Sequence, residues 1–397
     1  MLPLVLACTL GAPPGAPEFT VTGSAAGSPA GKLTALSLTS GAEIATADGP
    51  KTVKGLVSLR QPLARPPLPG GAHVITASGD RIPGVLAGGD AKRLQVRHAS
   101  SSDVWSVALD TVAVVWLRPP PADTPVDPAK YPWLNGAPPR DVLLYRNGDI
   151  ARGAINAVTG NGVKFTPDGG TAHEVPREDL AAIGFNPRFV RPRKPKGPFA
   201  NLVLTDGTRF AATEVAVKGD TLACKTVSGA AVEVPLKKLV ALEVLQGPAT
   251  YLSDLKPAKA ETSGFLGASW PWAADRTVRG QPLRLLQGDT ENTFDKGLGT
   301  HPKTVLTYDL GGKYVRFEAV VGLDAVTGKR GRADVRIRVD GKEVQLPGLK
   351  ALGGGNALPV VVDVHRAKEL TLVIDFGPTG DVQADVNWGA ARLIAAE

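Results

Sequence analysis

Residues Gly297–Glu343 read GLGTHPKTVLTYDLGGKYVRFEAVVGLDAVTGKRGRADVRIRVDGKE, and their pattern decides the fold. Thr304–Asp309 alternates loosely, and Gly311-Gly312 makes a turn. Tyr314–Val321 reads as a strand, with Val315, Phe317, Ala319 and Val321 on one face and Arg316, Glu318 and Val320 on the other. Asp324–Arg332 is polar and Gly-rich, as a loop requires. Asp334–Val339 alternates cleanly, with Val335, Ile337 and Val339 opposed to Asp334, Arg336 and Arg338. Asp340-Gly341 then closes a hairpin, because Asp-Gly supplies the positive φ angles of a two-residue turn. An antiparallel sheet with one buried face follows.

Upstream, three segments share one rhythm. His73–Pro119, Asp141–Pro187 and Ala200–Gly247 each open on a short alternating strand and a Gly-containing turn: Ser78-Gly79-Asp80, Asn147-Gly148-Asp149 and Asp206-Gly207-Thr208. Two further strands follow around a second turn. Each unit then ends in a polar turn and an apolar run (Leu109–Leu117, Val175–Phe185, Val234–Leu245). A weaker copy occupies Glu18–Gln61. Units of about 46 residues with five short strands suit a small bent sheet or barrel and are too short for a sandwich. Their strand rhythm resembles Sm-type small β-barrels. Propeller blades have a similar length, but the uneven linkers argue against a closed ring. Helical periodicity is almost absent.

The fold class expected is therefore all-β: small five-stranded barrel-like repeats followed by an antiparallel-sheet domain. The expected divisions are a signal-like segment at 1–17, repeats at 18–62, 72–119, 140–187 and 199–247, linkers at 120–139 and 188–198, and that last domain at 250–397. The first linker is Pro-dense and should be extended. Trp116, Tyr131 and Trp133 flank or lie in it, placed to pin it to a neighbouring unit. The second carries Arg188, Arg191, Arg193, Lys194 and Lys196, which reads as a solvated basic spacer.

The chain has 397 residues and a net charge of +7, with 46 Gly, 34 Pro and 5% aromatic residues. The excess of positive charge is modest and spread out, so no nucleic-acid partner is expected. The N-terminal MLPLVLACTLGAPPGAP resembles a short signal peptide without a basic start, which points to export. No other apolar run reaches the roughly 18 residues of a membrane helix. Cys8 and Cys224 make no disulfide framework, and Cys224 reads as a small buried apolar residue. The five histidines, His73, His98, His173, His301 and His365, are not at metal-ligand spacing. Nucleophile-elbow, phosphate-loop and dinucleotide motifs are missing, and the 250 or so residues before the last domain lack the α/β pattern of a glycoside hydrolase barrel.

From Tyr251 onward the sequence resembles the NPCBM family of carbohydrate-binding modules. The matching stretches are Tyr251–Leu255 (YLSDL), Trp270-Pro271-Trp272, Gln281–Leu285, Asp295–Pro302 (DKGLGTHP), Tyr308–Asp324, Val339–Val344, Ala367–Gly377 and Asp385–Leu393 (DVNWGAARL). The resemblance implies a galactose-binding-like jelly-roll sandwich in an exported protein, with binding rather than catalysis as its activity and a glycan or polysaccharide as partner. Sugar sites combine an aromatic face with planar hydrogen-bonding groups on loops. Trp270, Trp272 and Trp388 are the candidate aromatics, although Trp388 alternates with strand residues in a way that also suits a core position. His301, Asp324, Arg330, Asp381, Asp385 and Asn387 are the polar candidates. Asp324 and Asp385 are also placed to give oxygens to a structural Ca²⁺ ion; no other cofactor is expected. Ala325, Ala384 and Ala390 stand where similar sequences carry polar or acidic residues. That departure leaves open a structural or protein-interaction role in the cell envelope for a sandwich without sugar binding, with protein partners on the β repeats.

Overall fold

The computed structural model describes residues 15–90, 92–100, 103–264, 270–378 and 380–395. Nearly all of the signal-like segment, Cys8 included, lies outside the described residues. The described residues form β-structure joined by turns and five short 3-10 turns.

Each repeat forms five antiparallel strands in the spatial order four-three-two-one-five. In the third, His173–Pro176, Gly162–Pro167, Ile150–Val158, Asp141–Tyr145 and Leu180–Gly184 are hydrogen-bonded in that sequence. The second strand is long and carries a register shift in every unit, at Leu33/Ala35, Leu86/Gly88, Ile155/Ala157 and Ala212/Glu214. Such bulges bend a strand and let one sheet curl around its own core. Gly31, Gly84 and Gly153 in these strands lie so close to the facing carbonyls of Ala45, Arg97 and Thr166 that a Cβ would collide with them. The polar turn before the last strand is a 3-10 turn in three units: Leu109–Thr111, Arg177–Asp179 and Leu236–Lys238.

The units are open sheets rather than closed barrels. Among the described strands the fourth and fifth of a unit are not paired. The free edge of the fifth pairs with another unit instead. Val112–Trp116 runs antiparallel to Leu180–Gly184, with Val115 opposite Ile183. Ser58–Arg60 pairs in the same way with Leu239–Leu245, with Leu59 opposite Leu242. The second unit thus joins the third, and the first joins the fourth. This pairing explains why each unit ends in an apolar run, since a strand with neighbours on both sides has little solvent-facing surface to mark with polar residues. Burial of these runs builds one shared core, including Val115, Ile183, Leu202, Phe210, Leu239 and Leu242.

The Pro-dense linker is packed down, while the basic residues of the second linker are exposed. Tyr131 and Trp133 lie with Trp116, the three ring centroids 5.7–5.9 Å apart. They cover Ile75, Val114, Val142 and Ala182 at the seam between the second and third units. In the basic linker Arg191 donates its N–H to Asp110 O, and Arg193 exchanges backbone hydrogen bonds with Ser78 Oγ. Cys224 is a buried strand residue whose thiol is pushed up to about 12 by burial.

His73, at the start of its strand, is 2% exposed. Its Nδ1 meets Gly71 O at 2.7 Å, while Nε2 is buried with no hydrogen-bond partner. Burial pushes its pKa down to about 4. The unfolded chain therefore takes up this proton more readily than the folded one, and stability is lost as pH falls from about 6.5 towards 4, by up to about 3 kcal/mol. Urea midpoints between pH 7.5 and 4.5 are expected to fall more steeply in the wild type than in His73→Gln; parallel profiles would refute this.

The C-terminal region is a two-sheet sandwich. One sheet runs Ala273–Ala274, Gly297–Thr300, Val386–Ala395, Tyr314–Leu323, Leu358–Asp363, with Ala249–Tyr251 along Val386–Ala395. The other runs Lys259–Thr262, Thr304–Asp309, Glu369–Phe376, Arg332–Val339, Lys342–Val344. Phe317, Val335, Ile337, Leu372, Trp388 and Leu393 fill the space between. The Asp340-Gly341 turn has φ of 49° and 76°, as expected of it.

The sandwich is docked on the repeats through side chains that alternation alone would assign to solvent. Arg392 reaches Glu318 Oε2 from Nε (3.0 Å) and Nη2 (2.9 Å) and gives Nη2 to Ser58 Oγ (3.1 Å). Arg65 pairs with Glu243, both buried, and its guanidinium lies 5.1 Å above the Phe294 ring. Arg209 Nε meets Asp295 Oδ1 at 2.6 Å.

Candidate functional site

Three neighbouring strands of one sandwich sheet end at the same place. Thr300 pairs with Val386, and Val386 pairs with Leu323. Because the strands are antiparallel, the next residues, His301, Asp385 and Asp324, are brought together at one edge of the sheet. Asn387 is two positions from Asp385 and shares its face of the strand, while Val386 and Trp388 point to the other face.

Asp385 is the hub. It is 1% exposed. Its Oδ1 lies 2.7 Å from His301 Nδ1, and its Oδ2 accepts from Arg279 Nε (2.9 Å) and Thr327 Oγ1 (2.8 Å). Burial by itself would raise the carboxyl pKa, but the His301, Arg279 and Thr327 contacts outweigh it and hold the group below the usual range. Hydrogen-bonded to ionised Asp385, the His301 ring holds a proton on Nδ1, and in its neutral form it would leave Nε2 as an acceptor. Asp324 is buried beside it. Its Oδ1 caps the following loop by accepting from the N–H groups of Val326 (3.0 Å) and Thr327 (2.8 Å), and its Oδ2 accepts from Asn387 Nδ2 at 2.8 Å.

Above this cluster stands Trp270, 39% exposed. The Arg279 guanidinium lies 4.8 Å from its ring centre, and the His301 ring is 6.2 Å away, tilted by 58°. An exposed indole therefore adjoins the terminal N–H groups of Arg279, which are donors, and His301 Nε2, an acceptor when the ring is neutral. A vicinal pair of hydroxyls next to a C–H face presents the complementary pattern.

The expected residues divide as follows. Trp270, His301, Asp324, Asp385 and Asn387 converge. Trp388 is fully buried between the sheets and gives its Nε1–H to Thr300 Oγ1 (3.3 Å), so it is a core residue. Trp272 is half-buried against the same core. Arg330 is exposed, and it is its backbone N–H that reaches Gln383 Oε1, at 3.1 Å. Asp381 lies on the neighbouring loop, where its carbonyl accepts from Ala384 N–H. Asp324 and Asp385, expected to offer oxygens to Ca²⁺, direct them at N–H and O–H donors. Among the described residues no group of three or more His, Cys, Asp or Glu side chains is placed to hold a metal ion.

Thr327 and Arg279 were missed by sequence reasoning. For Thr327 the sequence marked only the turn, since Asp324 can accept from the N–H two residues on, as it does from Val326. Arg279 carried no signal; it comes from a loop far from Asp385 in sequence, and only the fold joins them.

Residues 248–394 match the family model described as the NPCBM/NEW2 domain. A protein of Renibacterium salmoninarum named "Putative endo-alpha-N-acetylgalactosaminidase" is 26% identical over 148 residues, 37% of this chain and 10% of that protein. The chain thus spans about a tenth of the length of the curated relative it matches. Among solved structures, CBM51 from Clostridium perfringens GH95 in complex with methyl-galactose is 26% identical, covering 36% of this chain and 99% of that one, with a TM-score of 0.33. Tandem CBM51 modules of Sp3GH98, a family 98 glycoside hydrolase from Streptococcus pneumoniae SP3-BS71, are 17% identical over 64% of this chain and 88% of that one, with a TM-score of 0.34. Residues 248–394 are thus an NPCBM/NEW2 domain.

Proposed function

We propose that this is an exported, non-catalytic protein whose C-terminal sandwich binds a glycan at the Trp270–Arg279–His301 face. The observation that carries this reading is the half-exposed Trp270 ring beside an acceptor and donors that Asp385 holds in fixed orientation. The NPCBM/NEW2 match supports the ligand class. Asp385 and Asp324 act as positioning residues, their oxygens already occupied. The same fact weighs against hydrolysis. A glycosidase needs one carboxyl group with a raised pKa as general acid, and Asp385 is shifted the other way. Among the described residues no helix is long and apolar enough to cross a membrane.

Trp270→Ala is expected to weaken glycan binding at least tenfold in affinity electrophoresis or on a glycan array, with the unfolding free energy changed by no more than about 0.5 kcal/mol, as for other surface positions. Wild-type binding to no glycan at all, with self-association retained, would instead support the second reading, an envelope interaction protein. Ala325 and Ala384, buried where similar sequences carry polar residues, favour that alternative.

A further inference from the structure

A cavity of about 1050 Å³, open to solvent, lies where the second, third and fourth units meet the sandwich. None of Trp270, Arg279, His301 or Asp385 lines it. Ligand sites favour such junctions, and this volume is at the upper end of their usual range of about 300–1,000 Å³. Its walls are mainly apolar, with Leu68, Ile75, Phe185, Phe199, Leu245 and Phe294 among the lining side chains.

The carboxylates that line it each meet a cation, with one exception. Arg209 meets Asp295, Lys296 meets Asp254 (2.6 Å) and Asp275 (2.7 Å), and Arg193 meets Asp110. Asp127 lies 3.6 Å from Arg276, Arg81 gives Nη2 to the Val126 carbonyl, and Lys194 is exposed. Asp80 is the exception. It is 7% exposed, and its carboxylate partners are neutral: the Ala211 N–H at 2.9 Å and the Thr76 hydroxyl. Burial pushes its pKa up to about 6, and no cation offsets the shift. The folded protein thus holds an ionised, uncompensated carboxylate in an apolar cavity at neutral pH, a cost to stability of the kind found at ligand sites.

We propose that this cavity is a second binding site, for a small organic cation whose ammonium or guanidinium group pairs with Asp80 and whose apolar body occupies the surrounding walls. A cation there would supply the counter-charge that the fold omits, and desolvation strengthens such a pair. The site is independent of glycan recognition.

Calorimetric titration of the full chain with 4-phenylbutylamine, with 4-phenylbutanol as the uncharged control, tests it. At pH 7.5 the amine should bind with one site per chain and raise Tm, and the alcohol should bind at least tenfold more weakly. Asp80→Asn retains an acceptor for the Ala211 N–H and should bind the amine at least tenfold more weakly than the wild type. In the wild type, amine affinity should fall about tenfold for each pH unit once pH drops below about 6, a readout that holds even if the variant does not fold. Equal binding of amine and alcohol, wild-type affinity in Asp80→Asn, a flat pH profile, or no saturable amine binding would each overturn the proposal.

Discussion

Trp388→Ala is expected to lower the unfolding free energy of the sandwich by about 3–5 kcal/mol, the range for truncating a fully buried large aromatic residue. The indole lies between the two sheets at 0% exposure, among Leu298, Val321 and Val386, and its Nε1–H is satisfied by Thr300 Oγ1. Truncation removes those contacts, opens a cavity and leaves the Thr300 hydroxyl without this donor. Trp388 lies in the middle one of the three strands that carry the site and pairs with Leu298 and Val321 on the other two. Glycan binding should therefore fall together with Tm, and it should recover at low temperature where the domain is folded. Trp270→Ala should show the opposite pattern, with binding lost and Tm unchanged. Thermal denaturation of the two variants beside a glycan-binding assay separates core from contact. If Trp388→Ala kept the wild-type Tm, its assignment to the core would be wrong.

Arg392→Ala is expected to cost about 3 kcal/mol, at the lower end of the range for removing one partner of a buried ion pair. Arg392 is 7% exposed and sits where the sandwich meets the first repeat. Its loss strips Glu318 of two hydrogen bonds and Ser58 of one. Glu318 keeps Arg316 Nε at 2.6 Å, which is why the lower end applies. Lys225 and Glu214 make a comparison on the surface. They are 2.8 Å apart, but their side chains are 56% and 68% exposed, so Lys225→Ala should cost less than about 0.5 kcal/mol. Burial, not distance, separates the two cases. Urea denaturation of both variants gives the comparison, and equal losses would refute it. Burial opposes ionisation of Glu318, but Arg392 and Arg316 hold its carboxyl below the usual range. The pair's contribution is then present above the unfolded carboxyl pKa and is lost as pH falls below it.

Much of the fold was legible. Alternation in Thr304–Asp309, Tyr314–Val321 and Asp334–Val339 gave strands that the structure contains, because side-chain direction in a strand is a local property of the chain. Asp340-Gly341 named its own turn. The repeat was visible in the spacing of its turns, and the apolar run closing each unit was visible too. The candidate site was legible in part. His301, Asp324, Asp385 and Asn387 stood out as polar residues beside framework glycines and strand ends. Trp272 and Trp388 stood out for the wrong reason, since a tryptophan next to polar residues reads alike whether it faces a ligand or a core.

Arg316, Glu318 and Arg392 show most clearly where local reading ends. On an isolated sandwich their alternation assigns them to water; in the whole protein they form the buried seam with the first repeat. Asp80 makes the same point from the other side. It is the third residue of a turn, as Asp149 is in the next unit, where the aspartate stays exposed. Packing of the fourth unit puts Ala211 against Asp80 and turns a solvated turn residue into a buried charge.

Local pattern carries the all-β class, many strand and turn positions and the repeat, because each follows from periodicity and turn chemistry within a few residues; the NPCBM character of the C-terminal third rests instead on resemblance to that family's motifs. The tertiary structure alone decided that the fifth strands pair across units, that the sandwich is docked rather than tethered, that Arg279 and Thr327 complete the Asp385 cluster, and that a cavity forms at the junction. Those outcomes depend on hydrogen-bond register and charge pairing between residues tens to hundreds of positions apart, such as Ser58 with Arg392. A strand's own alternation carries no record of its partner.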